Sequence, residues 1–600
     1  MEISESPPAV GIEQRGAKLE QLLRLSLCVW VVMLAVYQFS ENTVDPDLWG
    51  HVVFGQQMLK TGTVERTESY SWTANGQSFI NHEYGADLIL GGTHLLAGGT
   101  GLLLLKMGVG LLTFLLALRM GSKSLTWPVS AIAWVVAAVA VVEISFGFAA
   151  RPQIFTCLGL VFLLMLLRRI HDGAVHWALV LPPLFAIWIN IHGGVLAGVG
   201  LLLLAAGATT VEWIWNRYLA QREPADGART FLSAASPEHS TIQVGSRAAS
   251  QSDIAESEQH KSGPLCGLDR NVRAPGPAAA SRSARTVLAL WLACLGVIAA
   301  LFCNPWGAAL PAWLIKSVLW FRPEIQEWNP TPLGWDHATL FFLIAASAFA
   351  WAASRRRRAL WELAVCGAFA VLALRSVRNA PLFGLVALAL VPGHLAGALE
   401  RFQEHFARLV ELGRQTMAQK IAVVLLIASA GGIAMATFTL HKNNPLTMEA
   451  PRSSYPVAAA GFMRAHQLKG KTLVFFDWGD FVIFHLPDCP PSIDGRLDAC
   501  YSRAIIAAHW QLYNGDIVDQ SVLPINQADF ALLPSKLAGV EALRLRPGWQ
   551  IAYFDETAVV LAHHPESFPG LNGLRLPIEG PKEASLGRAS FADRNLRWNN

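Results

Sequence analysis

Two short acidic segments contain the carboxylates and histidines with which this chain could carry out acid–base chemistry. Asp45 and Asp47 flank a proline, and His51 follows one helical turn after Asp47, so Asp47 and His51 would share a helical face. An aspartate directly before a proline is also typical of a helix N-cap, and we interpret Asp45 mainly as a cap. Glu83 and Asp87 are again spaced i, i+4, which destabilises an isolated helix unless a cation or a metal lies between them. A solvated amphipathic helix is the alternative interpretation of that second pair.

Arginines at the end of an apolar segment could bind phosphate. Arg375 and Arg378 follow such a segment, and an arginine in that position tends to face a cavity, where its planar guanidinium suits a phosphate group. Snorkelling toward lipid headgroups is the alternative. Other polar residues near the same ends of apolar segments are candidate substrate-binding residues, namely His82, Arg151, His192 and Glu327. Carboxylates beside arginines at a bilayer surface favour transfer of a sugar from a polyprenyl-phosphate carrier: the carboxylate would act as general base on an acceptor hydroxyl, and the arginines would stabilise the departing phosphate.

The composition indicates which elements position these residues. The chain has 600 residues, of which 53% are hydrophobic and only 15% charged, with a mean hydropathy of +0.36. A soluble domain averages about 25% charged residues, so a cytosolic enzyme and a disordered scaffold are excluded. The net charge of +3 is too small to indicate nucleic-acid binding. The chain is therefore predicted to be a multi-pass protein of the lipid bilayer.

The apolar runs and the basic residues together predict a topology. About eleven runs approach the length of a membrane span, at 22–39, 101–118, 127–142, 154–167, 176–191, 195–214, 286–302, 339–353, 359–374, 381–399 and 421–440. A proline pair, Pro182 and Pro183, interrupts the fifth run. Lysine and arginine accumulate in alternate connections, which places residues 1–21 in the cytoplasm and the C-terminal region outside. Residues 222–285, rich in Ser, Ala, Gly, Pro and Glu, are predicted to form a disordered cytoplasmic loop.

The pattern changes after residue 440. Short β-rich runs at 472–476, 530–533, 551–554 and 558–562 alternate with helix-like stretches such as 502–512, which predicts a small extracytoplasmic α/β domain over 441–600 with a largely parallel sheet. Two of its residues, Cys489 and Cys500, could pair in an oxidising compartment. Residues 477–480 (DWGD) are interpreted as a strand-to-helix turn with an aspartate cap. Asp494 and Arg496 lie in a second loop that is predicted to follow a strand, where α/β domains bind ligands.

In these features the chain resembles membrane glycosyltransferases of the GT-C class, which includes oligosaccharyltransferases and protein O-mannosyltransferases. The resemblance rests on the Asp45-Pro46-Asp47 motif after the first span, the predicted topology, the long outer loop with Glu327 and the C-terminal α/β domain. The string 475–479 (FFDWG) resembles the WWDYG motif of oligosaccharyltransferases, although both tryptophans are phenylalanines here. The sequence 494–496 (DGR) is similar to one found in bacterial members of unassigned substrate.

The resemblance implies roles for individual residues. Asp47 would be the catalytic base or a metal ligand, with Asp45 beside it, and Glu83 is a further catalytic candidate. Arg375 would bind the lipid phosphate. Some branches of the class use a divalent metal such as Mg²⁺ or Mn²⁺ and others do not, so a metal at Asp47, His82 and Glu83 is left open.

We therefore expect an enzyme that moves a sugar from a polyprenyl-phosphate-linked donor to a protein or glycan acceptor on the outer face of the membrane. The alternative is a transporter or lipid flippase with an extracytoplasmic ligand-binding domain. The proline pair within the fifth run favours the transporter, because transporters bind substrate at broken helices near the bilayer midplane. The concentration of polar residues at the span ends favours the enzyme. A sensor is the third hypothesis, and it lacks a cytoplasmic output domain.

Overall fold

The computed structural model describes residues 10–122, 130–222, 277–320, 322–354, 356, 359–399, 415–440, 446–580 and 588–590. Most of the predicted cytoplasmic loop, 223–276, lies outside these residues. So do several basic residues on which the topology was predicted, namely Lys123, Arg355, Arg357, Arg358, Arg401, Arg408 and Arg414.

Helices dominate the first three quarters of the chain. In order they are α1 (Val10–Phe39), α2 (Leu48–Thr61), α3 (Tyr84–Ser122), α4 (Ser130–Ser145), α5 (Gln153–His171), α6 (Leu181–Trp188), α7 (Val195–Arg222), α8 (Pro277–Ala300), α9 (Ala309–Val318), α10 (Ala338–Ala353), α11 (Leu360–Arg375), α12 (Ala380–Leu399) and α13 (Gln415–Leu440).

The apolar runs correspond to helices. Within the described ranges, six helices are long and apolar enough to cross a membrane, at Tyr84–Ser122, Gln153–His171, Val195–Arg222, Ser283–Ala300, Trp335–Ala353 and Val377–Leu399. Shorter apolar helices cover parts of other predicted spans and also Ala309–Val318, for which no span was predicted. The chain is thus a multi-pass membrane protein, while the number of eleven crossings and the orientation of the termini stay predictions.

The proline pair does not break a helix in its middle. Pro182 and Pro183 stand in the first turn of α6, directly after a 3₁₀ helix at Val175–Val180. A proline is tolerated there because the first backbone N–H groups of a helix have no partner within the helix. The two residues therefore mark a junction of two helical segments rather than a gap in one.

Helix α12 lies at the centre of the bundle. It is buried along nearly its whole length and packs against α3, α4, α10 and α11. Gly121 of α3 permits one of these contacts, because a Cβ there would lie 2.2 Å from the backbone oxygen of Leu388. This packing fixes the start of α12, where Arg378 and Asn379 face a cavity.

The C-terminal region combines strands and short helices. Its strands are β1 (Glu449–Pro451), β2 (Thr472–Val474), β3 (Phe530–Pro534), β4 (Trp549–Phe554), β5 (Ala558–His563), β6 (Ile578–Glu579) and β7 (Arg588–Ser590), and its helices are α14 (Val457–Ala465), α15 (Gly479–His485), α16 (Arg503–Asn514) and α17 (Ala538–Arg544). The predicted strands and the helix at 502–512 are confirmed, and Ser502 caps α16 by accepting a hydrogen bond from the Ile505 backbone.

The prediction of a largely parallel sheet is wrong. The five-stranded sheet has the order β2-β3-β5-β4-β6, in which β2–β3 and β4–β6 are parallel and β3–β5 and β4–β5 are antiparallel. The reason is the connection between β4 and β5, which consists of residues 555–557 alone. A connection this short joins antiparallel strands, whereas parallel strands need a crossover of a dozen or more residues.

Helix α2 ties the bundle to the C-terminal region. Trp49 is fully buried, and its ring lies 5.3 Å from the rings of Phe481 and Phe484 and 5.9 Å from that of Tyr455. One residue later, a Cβ on Gly50 would lie 2.3 Å from a side-chain oxygen of Asp480. The start of α2 is therefore held between the two parts of the chain.

Candidate active site

The chain preceding α2 places two carboxylates in the site. Asp47, not Asp45, is the N-cap residue, and its side chain makes no capping hydrogen bond. Asp45 instead stabilises a turn, because its Oδ1 accepts the backbone N–H of Asp47 at 3.1 Å and its backbone oxygen accepts that of Leu48. The interpretation of Asp45 as a helix cap was wrong, since the helix begins two residues later than expected.

Arg151 joins these carboxylates to a distant loop. Its Nε pairs with Oδ1 of Asp45 and lies 3.5 Å from Oδ2 of Asp47, and its Nη1 lies 3.4 Å from Oε1 of Glu327. The same Glu327 oxygen accepts from Nη1 of Arg378 at 2.5 Å. The loop with Glu327 therefore folds back over the site. Acidic and basic side chains alternate through these contacts, from Asp45 and Asp47 to Arg151, then to Glu327 and then to Arg378.

The second acidic pair is held by histidines. Asp87 Oδ1 lies 2.7 Å from Nδ1 of His51, and Glu83 lies 3.3 Å from Nε2 of His192 and 3.7 Å from Nε2 of His82. Each carboxylate thus has its own imidazole partner, which offsets the repulsion expected from their i, i+4 spacing.

The protonation states of these groups differ in a way that follows from their neighbours. Burial lowers the pKa of His51, but the hydrogen bond and charge of Asp87 raise it, for a net value of about 10. Burial raises the pKa of Glu83, but the neighbouring imidazoles and the guanidinium of Arg378 lower it to about 2. Burial lowers the pKa of His192 to about 3, although Glu83 acts in the opposite direction. Desolvation raises the pKa of Asp47 to about 6, against the lowering effect of Arg151.

Arg496 anchors the loop at 494–496. It forms a bidentate pair with Asp494, at 2.9 Å and 2.6 Å, and its Nη1 pairs with Glu68. Its guanidinium also lies 4.7 Å from the centre of the Phe54 ring. Arg496 lines the cavity and Asp494 is fully buried behind it. The sequence indicated both residues but not their pairing with Glu68, which lies more than 400 positions away.

One carboxyl of the turn at 477–480, that of Asp480, faces Asp47. The strand-to-helix turn at 477–480 is confirmed, but the N-cap residue of α15 is Trp478 and no side chain caps the helix. Asp480 Oδ2 accepts the backbone N–H of Gly495 at 3.1 Å. A Cβ on Gly495 would lie 2.5 Å from both Asp47 Oδ1 and Asp480 Oδ2, so the two carboxyls meet across this glycine. Burial, together with the charges of Asp494 and Asp47, raises the pKa of Asp480 well above its usual range.

Most of the predicted site residues line one cavity of about 1420 Å³. They are Asp47, His51, His82, Glu83, Arg151, His192, Glu327, Arg378 and Arg496. Arg375 does not line it and is exposed. Helix α11 ends at Arg375, and Ser376 is extended (φ −155°, ψ 128°), so Arg375 and Arg378 do not share a helical face.

Arg322 was missed by sequence reasoning. It lies in the loop that carries Glu327 and forms a bidentate pair with Asp498, at 3.2 Å and 2.6 Å, so it ties that loop to the C-terminal region. Both residues line the cavity.

In the part of the chain that the structure describes, the cavity has neither a disulfide nor a preformed metal site. Cys489 and Cys500 are separate buried thiols, and Cys500 contacts Glu68 at 3.7 Å. No group of three or more His, Cys, Asp or Glu side chains is arranged to hold a metal ion. The carboxylates that the resemblance offered as ligands already face cations or histidines.

The apolar part of the cavity runs between the helices. It follows α7 from Leu196 to Leu204, a distance of about 12 Å at 1.5 Å per residue. Its other wall is α11, at Gly367, Ala368, Val371 and Leu372. A Cβ on Gly200 or on Gly367 would meet no atom within 4 Å, so these glycines face open space.

No family model and no curated protein matches this chain. Among solved structures it is similar to the oligosaccharyltransferase AglB from Archaeoglobus fulgidus in complex with an inhibitory peptide and a dolichol-phosphate, with 11% identity, a TM-score of 0.48 and coverage of 87% of this chain and 70% of that chain. It is also similar to ArnT from Cupriavidus metallidurans in the apo state, with 13% identity, a TM-score of 0.41 and coverage of 94% of this chain and 100% of that chain. An oligosaccharyltransferase is among the enzymes that the sequence itself resembles.

Proposed function

We propose that the protein is a membrane glycosyltransferase that transfers a sugar from a polyprenyl-phosphate-linked donor to a protein or glycan acceptor on the outer face of the membrane. The observation that carries this proposal is the two-part cavity. At one end it brings together carboxylates and arginines, Arg151 and Arg378 among them, and at the other it continues as an apolar groove between α7 and α11. A ligand that fills both parts has a phosphorylated polar head and a long apolar tail.

The groove suits a polyprenyl chain. Its walls carry no charged side chain between Leu196 and Leu204 of α7, and the small residues Gly200, Gly367 and Ala368 leave room beside them. The volume of about 1420 Å³ exceeds the range of about 300 to 1,000 Å³ that is usual for pockets for small ligands. The head of such a donor would lie beside Arg151 and Arg378, whose guanidinium groups suit phosphate.

Asp47 is the group best placed to act as general base. It makes no capping hydrogen bond and lines the cavity beside Arg151. In the proposed reaction the acceptor oxygen attacks C1 of the sugar while its proton passes to the Asp47 carboxylate. The bond between C1 and the phosphate oxygen breaks, and its electron pair stays on the phosphate, where Arg378 and Arg151 stabilise the charge. His51 and Glu83 line the same cavity and are proposed to bind the sugar.

The test is reconstitution of the full chain in liposomes with a panel of polyprenyl-phosphate and polyprenyl-diphosphate sugars and with peptide and glycan acceptors. Release of the lipid phosphate and labelling of an acceptor are measured. Asp47→Asn is expected to insert and fold as the wild type does and to lose transfer by about 100- to 10,000-fold, the usual contribution of a general base. Asp519→Asn, on the exposed surface of the C-terminal region, is the matched control and is expected to keep full activity.

Two outcomes would contradict the proposal. Full activity of Asp47→Asn would show that Asp47 is not the general base. Movement of the donor lipid across the bilayer without consumption of its sugar would favour a transporter instead.

A further inference from the structure

Three carboxylates surround one guanidinium at the polar end of the cavity. Asp45 and Asp47 approach Nε of Arg151, and Glu327 approaches its Nη1. The carboxylates come from two separate segments, the turn before α2 and the 3₁₀ helix at Gln326–Trp328. Carboxylate oxygens are the ligands that Mg²⁺ and Mn²⁺ prefer, although these three are not arranged to hold an ion in the described structure.

The centre of this carboxylate cluster (Asp45, Asp47 and Glu327) is taken by the Arg151 side chain. A guanidinium is not deprotonated in proteins, so it does not give way to a metal by losing its proton. Burial lowers the pKa of Arg151, but the three carboxylates raise it well above its ordinary value, which strengthens this point. A divalent ion would have to displace Arg151 or lie beside a fixed positive charge.

The neighbouring contacts hold Arg151 in place. Glu327 is fixed from its other side by Arg378, and the loop that carries it is tied to the C-terminal region by Arg322 and Asp498.

We propose that Arg151 is the resident cation of the carboxylate cluster and takes the place of a divalent metal there. It orients Asp47 and, with Arg378, offers guanidinium groups to a phosphate. The exclusion of a metal does not depend on the function proposed above, whereas the contact with a donor phosphate rests on it.

The test compares Mn²⁺ binding by full-length variants in nanodiscs after removal of metals with EDTA. Free Mn²⁺ is measured by electron paramagnetic resonance. The wild type and Arg151→Lys, which keeps the charge, are expected to show no stoichiometric site. Arg151→Gln is expected to gain one site, and the double variant Arg151→Gln/Asp45→Asn is expected to lose it. Arg544→Gln removes an exposed arginine that pairs with Glu541, and it is the control for a non-specific change of charge.

The results separate this proposal from the proposed function. One Mn²⁺ bound by the wild type and lost in Asp45→Asn would overturn it, as would a folded Arg151→Gln variant that gains no site. In the transfer assay, wild-type activity is expected to be unchanged by EDTA and by added Mn²⁺. If no donor supports transfer in any arm, the proposed function fails while the Mn²⁺ titration still decides the role of Arg151.

Discussion

Acidification is expected to inactivate the proposed transferase by protonating Asp47. With a pKa of about 6, the carboxylate is about 91% ionised at about pH 7 and about 9% ionised at about pH 5, so kcat/KM should fall about tenfold. An aspartate with the ordinary pKa of 3.8 would lose only about 6% of its ionised form over the same interval.

Three neighbouring groups keep their protonation state over this range. Glu83, with a pKa of about 2, stays ionised, and His192, with a pKa of about 3, stays neutral. His51, with a pKa of about 10, stays cationic. Of these four residues only Asp47 changes its protonation state between about pH 5 and about pH 7.

The assay is the initial rate of lipid-phosphate release in liposomes as a function of pH, with a dye-release control for vesicle integrity. Arg151 lowers the pKa of Asp47, so Arg151→Gln should move the acid limb of the profile to higher pH. Asp47→Asn should have a low rate and no acid limb. A wild-type profile that is flat from about pH 7 to about pH 5, or an acid limb retained in Asp47→Asn, would refute the reasoning.

Three further predictions test the framework around the site. Arg496→Ala leaves two buried carboxylates uncompensated and should lower the free energy of unfolding by about 3–5 kcal/mol, measured as a shift in thermal or denaturant unfolding, whereas Arg544→Ala at an exposed pair should change it little. Gly495→Ala places a Cβ 2.5 Å from each of the two facing carboxyl oxygens and should abolish transfer while Mn²⁺ binding stays absent. Gly367→Leu should raise KM for donors with long polyprenyl tails and leave short-tailed donors unaffected, because it fills the groove. Gly207→Leu, which enters open space away from the cavity, is its control, and equal effects of the two would count against the groove.

The regular elements followed from the sequence where local patterns determine them. Apolar runs gave the helices, and the β-branched segment 558–562 gave β5 within one residue. The pairing of the strands could not be predicted from the sequence, because the order of the strands in the sheet depends on which connections between them are short. Asp45 was misassigned for a related reason, since the turn at 45–48 is stabilised by its own hydrogen bonds and α2 starts only at Leu48.

Most residues that form the site could be predicted from the sequence, but not which of them contact each other. Arg378 and Glu327 were both candidates, yet nothing in the sequence pairs a residue just before α12 with a loop residue 51 positions earlier. The contact between Arg496 and Glu68 spans most of the chain. Such pairs are set by the packing of helices whose loops differ in length, and a single sequence contains no record of that packing.

The position of Asp47 depends on how α2 packs against the C-terminal region, rather than on the turn in which Asp47 itself lies. The helix is fixed by Trp49 against the aromatic side of α15, and the same helix α15 presents Asp480 toward Asp47. Asp47 is thus flanked by Arg151, which lies two residues before α5, and by Gly495 of the C-terminal region. Since Gly495 and α15 both belong to the C-terminal region, we expect that region to be part of the proposed catalytic framework.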